Sequence, residues 1–147
     1  MFVLDTDSLG ILQNKRGVEY DALQNRIAQE DPATVFVSII SFQEQIQGWN
    51  AYIQRGKKSR DLIKAYRMFE SIIQDFGNVN VLSFDDAASR VYDNLKARHL
   101  RVATMDTRIA AISLSRHFMV ITRNLVDFTR IPGLACQDWT LPRKQNV

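Results

Sequence analysis

The chain has 147 residues, of which 46% are hydrophobic and 24% charged, with a formal net charge of +3 at pH 7. These values are typical of one globular domain and exclude a disordered chain, a coiled coil and a collagen-like repeat. No apolar run approaches the roughly 18 residues that a membrane span needs, so we expect no membrane association. A single cysteine, Cys136, excludes an intrachain disulfide and is consistent with a reducing, cytoplasmic location.

Predicted strands lie where β-branched and aromatic residues cluster. The apolar run Phe2–Leu4 predicts a first strand rather than a signal peptide, because neither a basic start nor a long apolar stretch accompanies it. The same composition predicts further strands at Thr34–Ile40, Val79–Phe84, Phe118–Thr122 and, as a short fifth strand, Cys136–Thr140.

Between these strands, apolar residues recur every three or four positions, as expected of helices. The predicted helices are Glu19–Glu30, a segment with the stripe Phe42, Ile46, Trp49 and Ile53, a segment with the stripe Leu62, Tyr66, Phe69, Ile73 and Phe76, then Asp85–His99 and Asp106–Arg116. We expect the Leu62 stripe to face the core. The alternation of strands and helices predicts an α/β fold with a mostly parallel sheet of four to five strands. We expect one domain over residues 1–140 and a polar, frayed tail over residues 141–147.

Acidic residues follow the predicted strand ends, where ligands bind in open parallel sheets. Asp5 follows the first strand, Glu44 the second and Asp127 the fourth, while Asp106 opens the helix before the fourth strand. Carboxylates gathered at one edge repel one another, and a divalent cation removes that repulsion. Oxygen ligands suit Mg²⁺ or Mn²⁺, which hold phosphate oxygens and activate water. The pattern therefore predicts a metal site for a phosphodiester substrate.

Each of these acids also has a simpler interpretation on pattern alone. Asp5 is compatible with a turn at a strand end, and Asp106 with a cap of its helix. Asp127 is compatible with an Asx turn after Asn124. Glu44 lies opposite the Phe42 stripe, where a solvent-facing side chain is the default.

Three segments resemble PIN-domain ribonucleases, specifically the VapC-type toxins of bacterial toxin–antitoxin pairs. The first is Phe2-Val-Leu-Asp-Thr-Asp-Ser-Leu9, and the second is Val37-Ser-Ile-Ile-Ser-Phe-Gln-Glu44 with Gly48 behind it. The third starts at Thr104-Met-Asp-Thr-Arg-Ile-Ala-Ala111 and continues through Val120-Ile-Thr-Arg-Asn-Leu-Val-Asp-Phe128, Ile131-Pro-Gly133 and Asp138-Trp139. The resemblance keeps the family's order and covers nearly the whole chain.

The resemblance implies a PIN-like three-layer sandwich and metal-dependent endonucleolytic cleavage of RNA with Mg²⁺ or Mn²⁺. It implies Asp5 and Asp106 as the main metal ligands, with Glu44 and Asp127 completing the acidic pocket as further catalytic residues. Thr6 and Asn124 match the family's supporting polar positions. The resemblance also implies a cognate antitoxin that controls the activity, and a homodimer that assembles with it into a larger complex.

Some residues depart from the family's pattern, and two other functions stay open. Asp7 stands where asparagine is common and adds a negative charge near the site, and Ala103 stands where glycine is common. One alternative is a haloacid-dehalogenase-type phosphatase with Asp5 as nucleophile and Asp7 as acid/base, although no segment presents that family's lysine and late acidic pair. The other is a non-catalytic PIN-like binding module, which would not need four carboxylates.

Overall fold

A computed structural model describes residues 1–56 and 58–142, so residues 143–147 of the tail predicted over 141–147 lie outside the described residues. Over this part of the chain five strands alternate with seven α-helices. The elements are β1 (Phe2–Leu4), α1 (Thr6–Asn14), α2 (Val18–Ile27), β2 (Val35–Ser38), α3 (Ile39–Arg55), α4 (Ser59–Gly77), β3 (Asn80–Leu82), α5 (Asp86–Ala97), α6 (Thr104–Arg116), β4 (Met119–Ile121), α7 (Leu125–Phe128) and β5 (Cys136–Gln137).

The strands form one sheet in the order β3-β2-β1-β4-β5, and every neighbouring pair is parallel. Leu4 of β1 pairs with Val37 of β2 on one side and with Ile121 of β4 on the other. The chain thus builds outward from β1 to β3 and then crosses to β4. The prediction of a mostly parallel sheet of four to five strands is confirmed, and the gap between β1 and β4 is its topological switch point.

Alternate residues of the central strands face two separate cores, because side chains of a strand point to opposite faces. Val3 and Val120 pack with Ile109 and Ile112 of α6 in one cluster. Leu4, Val37 and Ile121 pack with Leu9 of α1, Leu23 of α2 and Trp139 in the other. Helices therefore cover both faces, and the predicted three-layer α/β/α arrangement is confirmed.

The predicted second strand is wrong at its carboxyl end. Ile39 and Ile40 begin α3 instead, since the Ser38 side chain accepts a hydrogen bond from the backbone N–H of Ser41 and caps the helix. Ile40 is buried in the core while Ile39 is exposed, so the packing of Ile40 and the Ser38 cap together outweigh the strand preference of the two residues. The earlier start of α3 brings Glu44 within two turns of the strand end.

Helix α1 has no counterpart among the predicted elements. Its nine residues carry a short, interrupted apolar pattern, and Asp5 rather than a hydrophobic repeat marks its start. Helix α6 begins at Thr104, two residues before the predicted start. The short α7 was not predicted either, and the other predicted bounds differ from the observed ones by at most three residues.

The apolar stripe predicted to bury α4 is largely exposed, which corrects that prediction. Leu62 is 40% exposed, Tyr66 56% and Ile73 64%, whereas Ala65 and Ile72 are buried. Helix α4 packs against α3 as a hairpin, with the Phe76 ring 5.2 Å from that of Phe42. One neighbouring helix covers one side of α4 only, so the rest of the apolar stripe faces outward. Among the described residues, no helix is long and apolar enough to cross a membrane.

Candidate active site

The switch point between β1 and β4 gathers polar side chains from three parts of the chain. Asp5 follows β1 directly, Asn124 lies three residues beyond β4, and Glu44 lies in the second turn of α3 after β2. Parallel strands end at the same edge of a sheet, so these distant segments meet there. The sheet topology, rather than any local motif, creates this site.

Asp5 is 4% exposed and is held by several hydrogen bonds. Its carboxylate accepts from the backbone N–H of Ser8 at 2.8 Å and so caps α1. The Thr122 side chain also favours the ionised form of this carboxyl and lowers its pKa. Burial raises the pKa of Asp5, while the bonds from Thr122 and Ser8 oppose that rise. The turn interpretation of Asp5 is thus correct as a helix cap, and the capping carboxylate also faces the switch point.

Glu44 is half-buried and is not a solvent-facing residue of α3. The Thr6 hydroxyl donates to its Oε1 at 2.6 Å, and the Ser41 hydroxyl lies 3.0 Å from that of Thr6. Because a hydroxyl has one proton, Thr6 donates to Glu44 and accepts from Ser41. The side of helix α3 opposite Phe42 therefore faces the first turn of α1.

The side-chain amide of Asn124 connects Asp106 and Asp127. The Nδ2 of Asn124 donates to Oδ2 of Asp127 at 3.0 Å and lies 3.4 Å from Oδ2 of Asp106. The other oxygen of Asp127 accepts from the Arg130 guanidinium at 3.0 Å, and that group also donates to the Arg101 carbonyl at 2.8 Å. Asp127 thus has a partner at each oxygen, and neither partner is the backbone N–H that an Asx turn requires.

Four carboxylates act on one another around Asp106. Burial raises the pKa of Asp106 to about 6, and the charges of Glu44, Asp5 and Asp127 add to the rise against the bond from Asn124. Asp106 is the third residue of α6, whose cap position is Ala103, so it is not the helix cap of the simpler interpretation. Mutual repulsion of this kind is expected where a cation is to bind.

The donor set fits a hard divalent ion in chemistry, since every acidic ligand candidate offers carboxylate oxygen. Among the described residues, no three His, Cys, Asp or Glu side chains already surround one point as metal ligands. Hydrogen bonds from Thr6, Asn124 and Arg130 hold the carboxylates at their present separations. Metal binding would therefore require side-chain movement within the pocket.

Asp7, which was expected to add charge to this cluster, has a partner of its own. The Arg123 guanidinium donates from Nε at 2.6 Å and from Nη2 at 2.9 Å to the two carboxylate oxygens of Asp7. Its Nη1 donates to Glu19 of α2 at 2.8 Å. Arg123 thus neutralises a carboxylate that sequence reasoning left as an unbalanced charge.

Sequence reasoning missed several polar residues that hold the acids in place. They are Ser8, Ser41, Thr122, Arg123 and Arg130. Two of them carry a signal that could have been used, because Ser41 lies one helical turn before Glu44 and Thr122 directly follows a strand. The partner of Arg123 lies 116 residues away, and no spacing rule predicts such a pair.

The family model of the PIN domain matches residues 2–134, which is most of the chain. The chain belongs to the PIN domain family. This assignment agrees with the three-layer fold and with acids gathered at the carboxyl edge of a parallel sheet. A comparison with curated protein sequences finds no match to this PIN domain.

Solved structures share this PIN fold over nearly their full length. The chain is similar to a protein of the DNA-bound VapBC complex of Salmonella typhimurium, with 25% identity, a TM-score of 0.73 and coverage of 94% of this chain and 97% of the other. It is also similar to a protein of VapBC-1 from nontypeable Haemophilus influenzae, with 24% identity, a TM-score of 0.71 and coverage of 95% of this chain and 98% of the other. VapC20 of Mycobacterium tuberculosis shares 15% identity with this chain, with a TM-score of 0.55 and coverage of 86% of this chain and 93% of the other.

Proposed function

We propose that this PIN domain is a metal-dependent endoribonuclease that hydrolyses RNA phosphodiesters and acts as the toxin of a toxin–antitoxin pair. One observation carries the proposal: the Asp106 carboxyl faces three other carboxylates at the topological switch point, with its pKa raised to about 6. The names of similar structures support the biological role. VapC20 is described as a toxin that cleaves the sarcin–ricin loop, and the Salmonella and Haemophilus structures are VapBC complexes.

In this proposal Asp5 and Asp106 are the main ligands of Mg²⁺ or Mn²⁺, with Glu44 able to join them. When bound, such an ion supplies charge neutralisation for the phosphate and lowers the pKa of coordinated water. Asp127 acts beside these ligands, since Asn124 and Arg130 already occupy its two oxygens. The choice of Asp5 and Asp106 as main ligands follows from the resemblance, and only the position of Asp127 beside them rests on its hydrogen bonds.

The neutral and basic neighbours of the acids then have positioning roles. Thr6 orients Glu44 through a 2.6 Å hydrogen bond, and Asn124 sets the separation of Asp106 and Asp127. Such partners fix the direction in which a carboxylate lone pair points, which decides both metal affinity and the path of a proton. A toxin that cleaves the RNA of its own cell would act in the cytoplasm.

The phosphatase alternative is not supported. The chain belongs to the PIN domain family, whose fold and motif order account for the late segment around Asp127. In addition, Asp7 would have to serve as the acid/base, but Arg123 binds both of its oxygens. A non-catalytic module is disfavoured by the four mutually repelling carboxylates, which are costly to keep without a function.

A test of the activity is direct. Purified protein stripped of metal should not cut RNA, addition of Mg²⁺ or Mn²⁺ should restore cleavage, and EDTA should abolish it again. Cleavage of the same RNA in excess EDTA would contradict the metal-dependent mechanism. Formation of a phosphoaspartate on Asp5 from a phosphate ester would instead revive the phosphatase alternative.

The antitoxin is proposed to cover the exposed apolar face of α4. Leu62, Ile63, Tyr66 and Ile73 form this face, each between 40% and 64% exposed. Exposed apolar residues at helical spacing suit the groove or face on which an amphipathic segment packs. Helix α4 carries three basic residues (Arg60, Lys64, Arg67) and three acidic ones (Asp61, Glu70, Asp75), so docking on this face would depend on apolar contact rather than on net charge.

Neighbouring isoleucines of α4 provide a matched test of this partner surface. Ile73→Ala should weaken antitoxin binding about tenfold while changing the free energy of unfolding by less than about 0.5 kcal/mol, because the side chain is exposed. Ile72→Ala should cost about 3 kcal/mol of stability, because Ile72 is buried, and should leave the affinity of the folded protein unchanged. Equal antitoxin affinity for wild type and Ile73→Ala would contradict this docking surface.

The homodimer expected from the resemblance is part of the same proposal. Light scattering of the protein without antitoxin at micromolar concentration should give twice the mass of 16.9 kDa. A strictly monomeric protein at that concentration would remove the dimer from the proposal and leave the nuclease activity untouched.

A further inference from the structure

Arg123 joins three helical and strand segments around the candidate active site. Its guanidinium makes two hydrogen bonds to Asp7 in the first turn of α1 and one to Glu19 in the first turn of α2. Arg123 itself follows β4 by two residues. A bidentate arginine–carboxylate pair is the strongest and most directional ion pair that side chains form. We call this group of three residues the Arg123 clamp.

The sequence neighbours of the clamp hold the candidate metal ligands. On one side of Asp7, Thr6 donates to Glu44, and on the other side the backbone N–H of Ser8 donates to Asp5. The Ser8 hydroxyl also donates to the carbonyl of Ile121 at the end of β4. Any shift of Asp7 therefore moves the donors of two acids at once.

The same relation holds around Arg123. The Thr122 hydroxyl before it accepts from the Asn124 N–H, and the Asn124 side chain donates to Asp127 and lies near Asp106, while Thr122 also lowers the pKa of Asp5. The pair thus connects two short segments whose flanking residues contact all four acids. Among the described residues, no other ion pair joins these two segments.

We propose that Arg123 is a positioning residue of the nuclease site, which removes the Asp7 carboxylate from the metal pocket and locks the α1 and β4 segments in register. The inference rests on the proposed function and concerns only how this chain organises that site. Without the guanidinium, Asp7 would add a fifth negative charge to four acids that already repel one another, as it does weakly toward Asp5.

The test uses Arg123→Gln, Asp7→Asn and the double variant, titrated with Mn²⁺ by calorimetry after removal of metal. Arg123→Gln releases Asp7, so the site becomes more negative and its Mn²⁺ affinity should rise about threefold. Asp7→Asn in the same background removes that charge and should return the affinity to within about twofold of wild type. An unchanged or weaker affinity of Arg123→Gln would overturn the proposal.

RNA cleavage separates positioning from substrate binding. Arg123→Gln should lower kcat about tenfold with KM unchanged, because the clamp orients ligands and does not touch RNA. If KM rises instead, and Asp7→Asn does not reverse the change, Arg123 binds the RNA backbone and the positioning role is wrong.

Arg116→Gln is the matched control. Arg116 donates to Asp85 at 2.8 Å, a comparable ion pair located about 15 Å from Asp106 along α6. This variant should leave Mn²⁺ affinity unchanged. A rise in affinity equal to that of Arg123→Gln would show that the effect is one of net charge and would overturn the clamp.

Unfolding in EDTA tests the clamp without reference to metal or activity. The urea midpoint of the double variant should lie closer to wild type than the sum of the two single shifts, because the pair is lost only once. Additive shifts would overturn the clamp. If the wild-type protein neither binds Mn²⁺ nor cuts RNA, the proposed function fails, and these midpoints still decide whether the clamp exists.

Discussion

Helices α1 and α5 both begin at an aspartate cap, but the two caps lie in different surroundings. Asp5 precedes α1 and accepts a hydrogen bond from the backbone N–H of Ser8 at 2.8 Å. Asp85 precedes α5 and accepts from the backbone N–H of Ala88 at 2.9 Å. Each aspartate follows a strand and caps the helix that comes next, so the two turns are nearly interchangeable as local structure.

Their surroundings make the two carboxylates chemically different. Burial raises the pKa of Asp5, whereas the hydrogen bond from Ala88 and the nearby charge of Arg116 lower the pKa of Asp85. The first cap lies at the switch point among other acids, and the second lies at the edge strand β3 beside a cation. A helix cap is therefore a local property, while its reactivity depends on what the rest of the fold brings near it.

The largest expected difference between the two caps is in catalysis. Asp5→Asn should lower RNA cleavage about 1,000-fold, or roughly 4 kcal/mol of transition-state stabilisation, because it removes a main metal ligand. Asp85→Asn should leave cleavage within about twofold of wild type. Both variants retain a capping side chain, so circular dichroism should show both folded. Equal activity of wild type and Asp5→Asn would reduce Asp5 to a cap.

Removal of a carboxylate charge should raise the free energy of unfolding in the Asp5 region and lower it in the Asp85 region. The carboxyl of Asp106, in the Asp5 cluster, has a pKa raised from 3.8 to about 6, so its ionised form destabilises the fold above about pH 6. Asp106→Asn should raise the free energy of unfolding at pH 7.5 in EDTA by about 1 kcal/mol, since solvent partly screens this half-buried group. The gain should fade as the pH falls from 6 towards 4.

Asp85→Asn should change the free energy of unfolding in the opposite direction. The pKa of Asp85 is lowered, so its charge stabilises the fold above its ordinary value of 3.8, and that contribution is lost as the pH falls through the lowered pKa. The variant should therefore be less stable than wild type at neutral pH and equal to it in strong acid. Urea titrations at several pH values measure both variants. A loss of stability in Asp106→Asn at pH 7.5 would contradict the mutual repulsion of the four acids.

The smallest expected effect isolates the cap itself. Asp5→Ala and Asp5→Asn both remove the buried charge, but only asparagine can still accept from the Ser8 N–H. The alanine variant should be about 1 kcal/mol less stable than the asparagine variant, with both equally inactive. Equal unfolding midpoints would mean that the α1 cap contributes nothing beyond placing the carboxylate.

Much of the fold was predictable because strand and helix periods are local. The central strands around Val37 and Val120 were recognisable from their β-branched residues, and the inward residues of α5 and α6 from their spacing. The order β3-β2-β1-β4-β5 was not predicted, since no local pattern says which strands become neighbours.

Helix α4 shows where the same reasoning fails. Its spacing predicts an apolar side, which it has, but spacing does not say whether a second layer covers that side. Ile72 is buried and Ile73 is 64% exposed although both are isoleucine in one helix. The number of neighbouring helices decided this difference, and a partner protein would change it.

The sequence by itself determined the α/β class, the acids after the strand ends and the resemblance that named Asp5, Glu44, Asp106 and Asp127. These follow from local spacing and from motif order, which survive without knowledge of the fold. Only the tertiary structure decided that Asp5 is both cap and site residue, that Thr6 orients Glu44, and that Arg123 neutralises Asp7 across 116 residues of chain. The reason is physical: charge interactions and burial depend on distance in space, and the crossing of the chain from β3 to β4 sets that distance.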